Sequence, residues 1–228
     1  MPSPITTLEI RASFSISLFY AAIVTDVISI ATGLSQHSFW QNITPEQLVQ
    51  LQDNPTEGIP RGNALISLIS IVVSIVTAVT FLRWFHQAYR NLLTIGVEGL
   101  KYSPGWTIFG FIIPIVSLFI PFQIAKEIWQ GSFTKHPSQP DDWKKQTTPI
   151  TIKAWWGFFV CASLTAFMSA QVMARTQSVT HIVQAIEGII ISNFMSILSA
   201  WFAIQMIKTI TQLQRQALDK NQHMQLSA

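Results

Sequence analysis

The sequence predicts an all-α polytopic transmembrane helix bundle, with four full spans plus one short proline-broken segment that either re-enters or kinks. Three observations carry this. Only 11% of the 228 side chains are charged, against about 25% in an ordinary soluble domain. Mean hydropathy is +0.37. The apolar residues also gather into runs of about 20, the length a helix rising about 1.5 Å per residue needs to cross a hydrocarbon core of about 30 Å. The same composition excludes a disordered chain, a disulfide scaffold with its single Cys, and a strongly basic nucleic-acid binder at a net charge of only +3.

Four stretches of this single membrane domain, 1–228, meet the length test. Residues 14–34 hold one charge, Asp26; residues 64–82 and 154–174 hold none; residues 182–207 hold only Glu187. The first is read as an uncleaved span, since its apolar run is too long for a signal peptide and Arg11 before it is offset by Glu9. A fifth stretch, 107–122, is uncharged but short, and Pro114 and Pro121 each remove a helical hydrogen bond.

Lys and Arg concentrate in short cytoplasmic loops, so their distribution bears on that fifth stretch. If it spans fully, the fourteen cations divide five against nine; if it returns to the side it left, they divide twelve against two, with Arg61 and Arg175 alone outside. The second division favours re-entry with both termini cytoplasmic, and a fifth span stays the alternative. The spans also carry small residues at every fourth position (Ser17, Ala21, Thr25, Ser29 and Gly33 in the first, Ala162, Ala166, Ala170 and Ala174 in the third), which lets helices approach closely in lipid.

The outer loop, 35–63, contains a helix start: Thr44 as cap, Pro45 in the first turn and Gln47 three residues after the cap. The inner linker, 131–153, is polar and broken by Pro137, Pro140 and Pro149. The C-terminal tail, 208–228, continues the last span as an amphipathic helix with Ile207, Ile210, Leu213 and Ala217 on one face.

The cytoplasmic end of the second span reads Trp84, Phe85, His86, Gln87, Ala88, Tyr89, Arg90, Asn91, and Tyr102, Ser103, Pro104, Gly105 and Trp106 follow. Pro114, Pro121, Gln123, Glu127 and Trp129 come next, then Trp155 and Trp156 and a terminal Ile210, Thr211, Leu213, Gln214. This series resembles the bacterial integral membrane family catalogued as domain of unknown function 4328, over residues from about 64 to 214. The resemblance implies a multi-pass protein of the bacterial cytoplasmic (inner) membrane and carries no activity with it. Physically, the block is a re-entry device: Ser103 is held extended by Pro104, Gly105 permits a sharp turn, and Trp106 suits a headgroup boundary. Trp129, Trp143, Trp155 and Trp156 read as an aromatic belt near the same boundary. Arg83, His86, Gln87, Arg90 and Asn91 share a helical face and are expected to receive Gln123 and Glu127 from the far arm.

An Asp near a span's centre costs on the order of 3 kcal/mol on insertion scales, so Asp26 needs a protein or water environment. Counting along the helices puts Asp26, Gln171, Arg175 and Glu187 in the outer half, where one cation and two acids can form an intramembrane polar cluster. It is read as a structural pin, with a proton or cation relay as the functional alternative. There is no phosphate-cradling glycine loop, zinc-protease helix or nucleophile elbow, and the five His lack metal-ligand spacing. No catalytic residue, cofactor or metal is expected. The function expected is non-enzymatic: a scaffold or assembly partner whose partners are the lipid bilayer and an unidentified membrane or cytoplasmic protein, with a homo-oligomer open and no nucleic acid. A transporter or channel for ions or small solutes, using the broken helix and buried acids, is the alternative.

Overall fold

The computed structural model describes residues 4–47, 49, 61–113, 115–133, 142–175 and 178–226, and among these the regular elements are all helical. In chain order they are α1 (Pro4–Gln41), α2 (Arg61–Ile95), α3 (Trp106–Ile112), α4 (Ile120–Ser132), α5 (Ile150–Arg175) and α6 (Val179–Leu226), with 3₁₀ turns at Val116–Leu118 and Asp142–Lys145. Four of them, α1, α2, α5 and α6, are long and apolar enough to cross a membrane. All four outrun the apolar runs that announce them. The supposed loop residues 35–41 are the end of α1, the 84–91 motif is a continuation of α2, the linker's last residues already belong to α5, and the tail is an unbroken part of α6. Polar flanks extend a helix readily once its apolar centre has nucleated it.

The chain divides into two compact units. Unit 1 comprises Met1–Phe19, Val76–Trp156 and Trp201–Ala228; unit 2 comprises Tyr20–Ile75 and Gly157–Ala200. Unit 1 is a dense core in which Leu8, Trp84, Phe85, Tyr89, Leu92, Ile124, Ile128, Ile152, Ile204 and Ile207 are fully buried. Phe81 and Phe85 stack at 5.5 Å between centroids, and Phe111 meets them edge-on at 6.1 and 5.9 Å. Such edge contacts complement ring quadrupoles. Trp143, Trp155 and Trp156 are buried too, so these three are core and not a belt. The indole N–H of Trp143 donates to the Glu98 carbonyl at 2.9 Å, and that of Trp156 to the Leu118 carbonyl at 3.3 Å. A tryptophan whose N–H finds a carbonyl can be buried whole.

The proline-broken segment is a helical hairpin. Ile113 is extended (ψ 118°), as a residue before proline must be, and α3 stops there. Pro121 does not break a helix as its position suggested. It lies in the first turn of α4, where its missing N–H has no partner to lose. Between the arms stands Ile115 at φ 67°, a left-handed conformation unusual for a β-branched residue. The sharp bends leading into α3 come from Gly96 (φ 87°) and Gly99 (φ 72°), while Gly105 is ordinarily helical. The arms close on each other at Gly110, where an added Cβ would stand 2.9 Å from Ile120 Cγ2.

Unit 2 is held by small residues and hydroxyls. Ser29 Oγ lies 3.4 Å from Ser70 Oγ, Ser192 donates to the Ala162 carbonyl at 2.9 Å, and Gly33 packs on Ile190. In α5, however, the inward face is Ala162, Thr165 and Ser169, while Ala166, Ala170 and Ala174 are exposed. A repeat of four drifts about 40° per step against the 3.6-residue turn, so a strict every-fourth stripe leaves the interface. Thr44 and Gln47 form the reciprocal capping box: each side chain accepts the other's backbone N–H, at 3.3 and 3.0 Å. Outward-facing Leu65, Ile71, Ile75, Phe167 and Phe194 are all exposed. Such faces on four long helices suit lipid and not water.

Because Ile120 is stiff at χ1, Gly110→Ala forces the hairpin arms apart and costs about 1–3 kcal/mol as overpacking. The unfolding midpoint of the purified chain in mixed micelles measures this, and an unchanged midpoint would show that the arms do not pack as described.

Candidate functional site

The polar residues of unit 1 assemble into two networks around the last turns of α2. The first begins at Arg11 on α1, whose Nη1 donates to the Arg83 carbonyl (3.0 Å) and to Gln87 Oε1 (3.2 Å). Gln87 Nε2 donates to Asn91 Oδ1 (2.8 Å), and Asn91 Nδ2 to Gln214 Oε1 (3.1 Å). Gln214 Nε2 then donates to the Ala88 carbonyl (2.9 Å) and to Ser132 Oγ (3.1 Å), and Ser132 donates to the Ile128 carbonyl (2.6 Å). Asn91, Ser132 and Gln214 are buried, so each bond replaces one that water would otherwise supply. The chain joins α1, α2, α6 and α4.

The second network locks the hairpin. His86 Nδ1 lies 3.1 Å from the Pro104 carbonyl and 2.9 Å from Thr107 Oγ1, and Thr107 donates to the same carbonyl at 2.6 Å. With Thr107's proton so placed, His86 Nδ1 is the donor. One turn further along α2, the Tyr89 hydroxyl reaches the Tyr102 carbonyl at 2.5 Å and Glu127 Oε2 at 3.0 Å, and Glu127 Oε1 accepts the Lys101 N–H at 3.0 Å. Gln123 accepts from the Tyr102 hydroxyl and from Lys101 Nζ. The first arm is therefore tied at residue 86 of α2 and the second at residue 89. Both ends of the segment return to the same end of one helix.

A phenol has one proton, and a carbonyl can only accept. The one Tyr89 proton is therefore shared between two acceptors, the Tyr102 carbonyl and Glu127 Oε2. Burial pushes the Glu127 carboxyl above its usual range, opposed by bonds from the Lys101 N–H and the Tyr89 hydroxyl and by the charges of Lys101 and Lys144.

These contacts redistribute the roles read from sequence. The expected Arg90 partnership with Glu127 does not form: Arg90 is exposed, and the carboxyl takes a neutral hydroxyl and a backbone N–H instead. A buried guanidinium there would need desolvation that a phenol avoids. Trp84 is buried and donates to Thr211 at 3.1 Å. Trp106 is partly exposed, and Trp129 packs its ring on Phe133 at 4.9 Å. Arg11, Tyr89, Ser132 and Gln214 were not singled out for these roles. Their signal was available in Gln214, which falls on the buried face of α6 with Ile207, Ile210 and Leu218 where an apolar residue is expected.

Residues 61–212 match the family described as Domain of unknown function (DUF4328). The chain belongs to this family. Neither a curated protein nor a solved structure matches it. The matched region contains α2, the hairpin, α5 and most of α6, so the hairpin lock lies wholly within the family segment, while Arg11 and Gln214 stand outside it.

Among the described residues, the two intramembrane acids have separate partners. His37 Nε2 lies 2.9 Å from Glu187 Oε1, with Gln41 following at 3.3 Å, an α1–α6 pair that the sequence reading did not include. Asp26 bonds Ser196, and its Oδ2 is shielded without a hydrogen-bond partner. Eleven residues separate Asp26 from His37 on α1, roughly 16 Å of helix, so the two acids occupy different levels. Gln171 is half-buried on α5, and the Arg175 side chain lies outside the described residues.

Two outcomes follow for the lock. Tyr89→Phe costs about 1–3 kcal/mol by leaving buried acceptors unpaired, whereas Arg90→Ala stays within about 0.5 kcal/mol as a surface change; equal losses would contradict the assignment. A carboxyl whose folded pKa is raised stabilises the fold when protonated, and that contribution is lost as pH rises through the folded value. Relative to Glu127→Gln, the wild type is thus least stable at high pH and gains as pH falls toward the ordinary carboxylate value of about 4.3. Unfolding midpoints of both proteins from pH 8 down to about 4 test this, and a difference that does not move in the wild type's favour on acidification contradicts the raised carboxyl.

Proposed function

We propose that this chain is a non-enzymatic scaffold or assembly partner of the bacterial cytoplasmic membrane, with unit 1 on the cytoplasmic side. One observation carries the reading. The polar groups of the family segment are engaged within unit 1: His86, Tyr89, Asn91, Gln123 and Glu127 bond other helices and turns there, Asn91 through Gln214 just beyond the segment. Catalytic groups are instead positioned with capacity left over for a substrate. Charge supports the sidedness. Unit 1 contains twelve Lys and Arg against six Asp and Glu, whereas unit 2 contains two against five. Cytoplasmic segments of membrane proteins show this excess of cations.

A second reading, passage of a cation or proton, is favoured by Asp26 alone, whose shielded Oδ2 has no hydrogen-bond partner within an apolar helix. Intramembrane acids of this kind commonly mark ion pathways.

Single cysteines in a Cys161→Ser background report on both readings. Ser178→Cys is expected to react with an impermeant maleimide in intact cells, and Lys126→Cys only after lysis. The opposite pattern would invert the orientation. Proteoliposomes are expected to remain silent to cations and protons; a flux abolished by Asp26→Asn would displace the scaffold reading.

A further inference from the structure

Three arginines of unit 1 converge where the apolar runs of α1 and α2 end. Arg11 stands just before the first run, 14–34, and Arg83 follows directly on the second, 64–82, so both lie where a hydrocarbon core gives way to headgroups. Arg83, Gln87 and Arg90 recur at i, i+4 and i+7 on one face of α2. Arg11 reaches the middle of that face through its bonds to the Arg83 carbonyl at 3.0 Å and to Gln87 Oε1 at 3.2 Å. Both bonds use Nη1, which leaves the Nε and Nη2 donors of Arg11 for another acceptor. Arg83 and Arg90 are exposed. The described acids of this end are engaged elsewhere: Glu9, close to Arg11 in sequence, pairs with Arg215 at 3.2 Å, Asp219 approaches the same Arg215 at 3.8 Å, and Glu127 is held in the hairpin lock. The charges acting on Arg11 are those of Arg83 and Arg90, and both repel it. Like charges gathered near a boundary of low dielectric carry a cost that a bound anion removes.

We propose that Arg11, Arg83 and Arg90 bind the phosphate of an anionic phospholipid headgroup at the α1–α2 seam. The proposal rests on α1 and α2 crossing the bilayer, and not on the scaffold reading. A guanidinium presents its donors in a planar fork that matches a pair of phosphate oxygens. Three such groups select a headgroup carrying net negative charge, since the amine of a zwitterionic headgroup is repelled by the same cations. Ile10 and Phe14, which flank Arg11 on α1, are exposed and offer acyl chains an apolar surface beside the site. Free phosphate satisfies the guanidiniums alone and has no use for that surface. Juxtamembrane cations are attracted to anionic leaflets generally; what this site adds is a fixed meeting of three on one face.

The test is lipid retention by the full chain, purified in neutral detergent and examined by native mass spectrometry with phosphatidylglycerol or phosphatidylcholine of identical acyl chains. The wild type is expected to retain phosphatidylglycerol at least about fivefold over phosphatidylcholine, the factor that one well-placed cation supplies. The double variant Arg83→Gln, Arg90→Gln is expected to lose that preference. Lys126→Gln with Lys153→Gln removes the same charge from exposed positions elsewhere in unit 1 and is expected to keep it. Equal retention of the two lipids by the wild type, an undiminished preference in the arginine double, or an equal loss in the lysine double overturns the proposal. So does full displacement of phosphatidylglycerol by millimolar inorganic phosphate, which would identify a free-anion site. If the arginine double fails to fold by circular dichroism, the single surface change Arg90→Gln decides: a reduced preference supports the site and an unchanged one overturns it. Detergent has no inner or outer leaflet, so an error in the proposed sidedness leaves this result unchanged.

Discussion

A guanidinium can only donate, and at Arg11 that property fixes the sense of every bond downstream. Gln87 must turn its oxygen toward Arg11 and so offers its amide to Asn91; Asn91 must then offer its own amide to Gln214, and Gln214 to Ser132. The series ends at the Ile128 carbonyl, which can only accept. With a pure donor at one end and a pure acceptor at the other, one arrangement of the amides satisfies all members. Buried networks specify a structure when every member is satisfied and destabilise it when one is not. The four helices joined by this chain thereby gain a register that apolar packing alone leaves loose.

The hairpin depends on that frame. Its arms dock on residues 86 and 89 of α2, the same turns from which Gln87 and Asn91 reach outward. Rotating α2 to suit one network would misplace the other. Ile115, at the tip, holds a backbone conformation that β-branched residues avoid, and strain of this kind costs on the order of 1–3 kcal/mol and persists only where the surroundings over-determine it. Here the surroundings are the two anchored arms.

Much of the architecture was legible in the sequence because lipid imposes a length on apolar runs, and a twenty-residue run without charge has few other readings. The same reasoning sets 107–122 apart, as too short and too interrupted by proline for an ordinary span, while leaving re-entry and a kinked span both open. The failures have a common cause. Side-chain partners between distant elements depend on helix rotation, and sequence spacing gives that only to within the drift of a 3.6-residue period. Hence Glu127 was assigned to Arg90 in place of Tyr89, one position away on α2. The cluster reading brings Glu187 together with Asp26 and Arg175, whereas its partner His37 lies in residues that read as loop. Trp143, Trp155 and Trp156 were placed at a membrane boundary because composition reveals an aromatic but not the carbonyl that lets it be buried. Gln214 was the informative exception: a polar residue centred on an apolar face signals a buried partner before the partner is known.

Asn91 and Gln214 are separated by 123 residues. At about 5–20 residues per second of synthesis, the amide of Asn91 waits roughly 6–25 seconds for the oxygen it will bond. Throughout that interval the second helix carries amides suited to burial, with no acceptor yet made. A chain that stops before α6 never completes the series, whatever the state of its earlier helices. The series is thus complete only once the last helix has been made and Gln214 is in place.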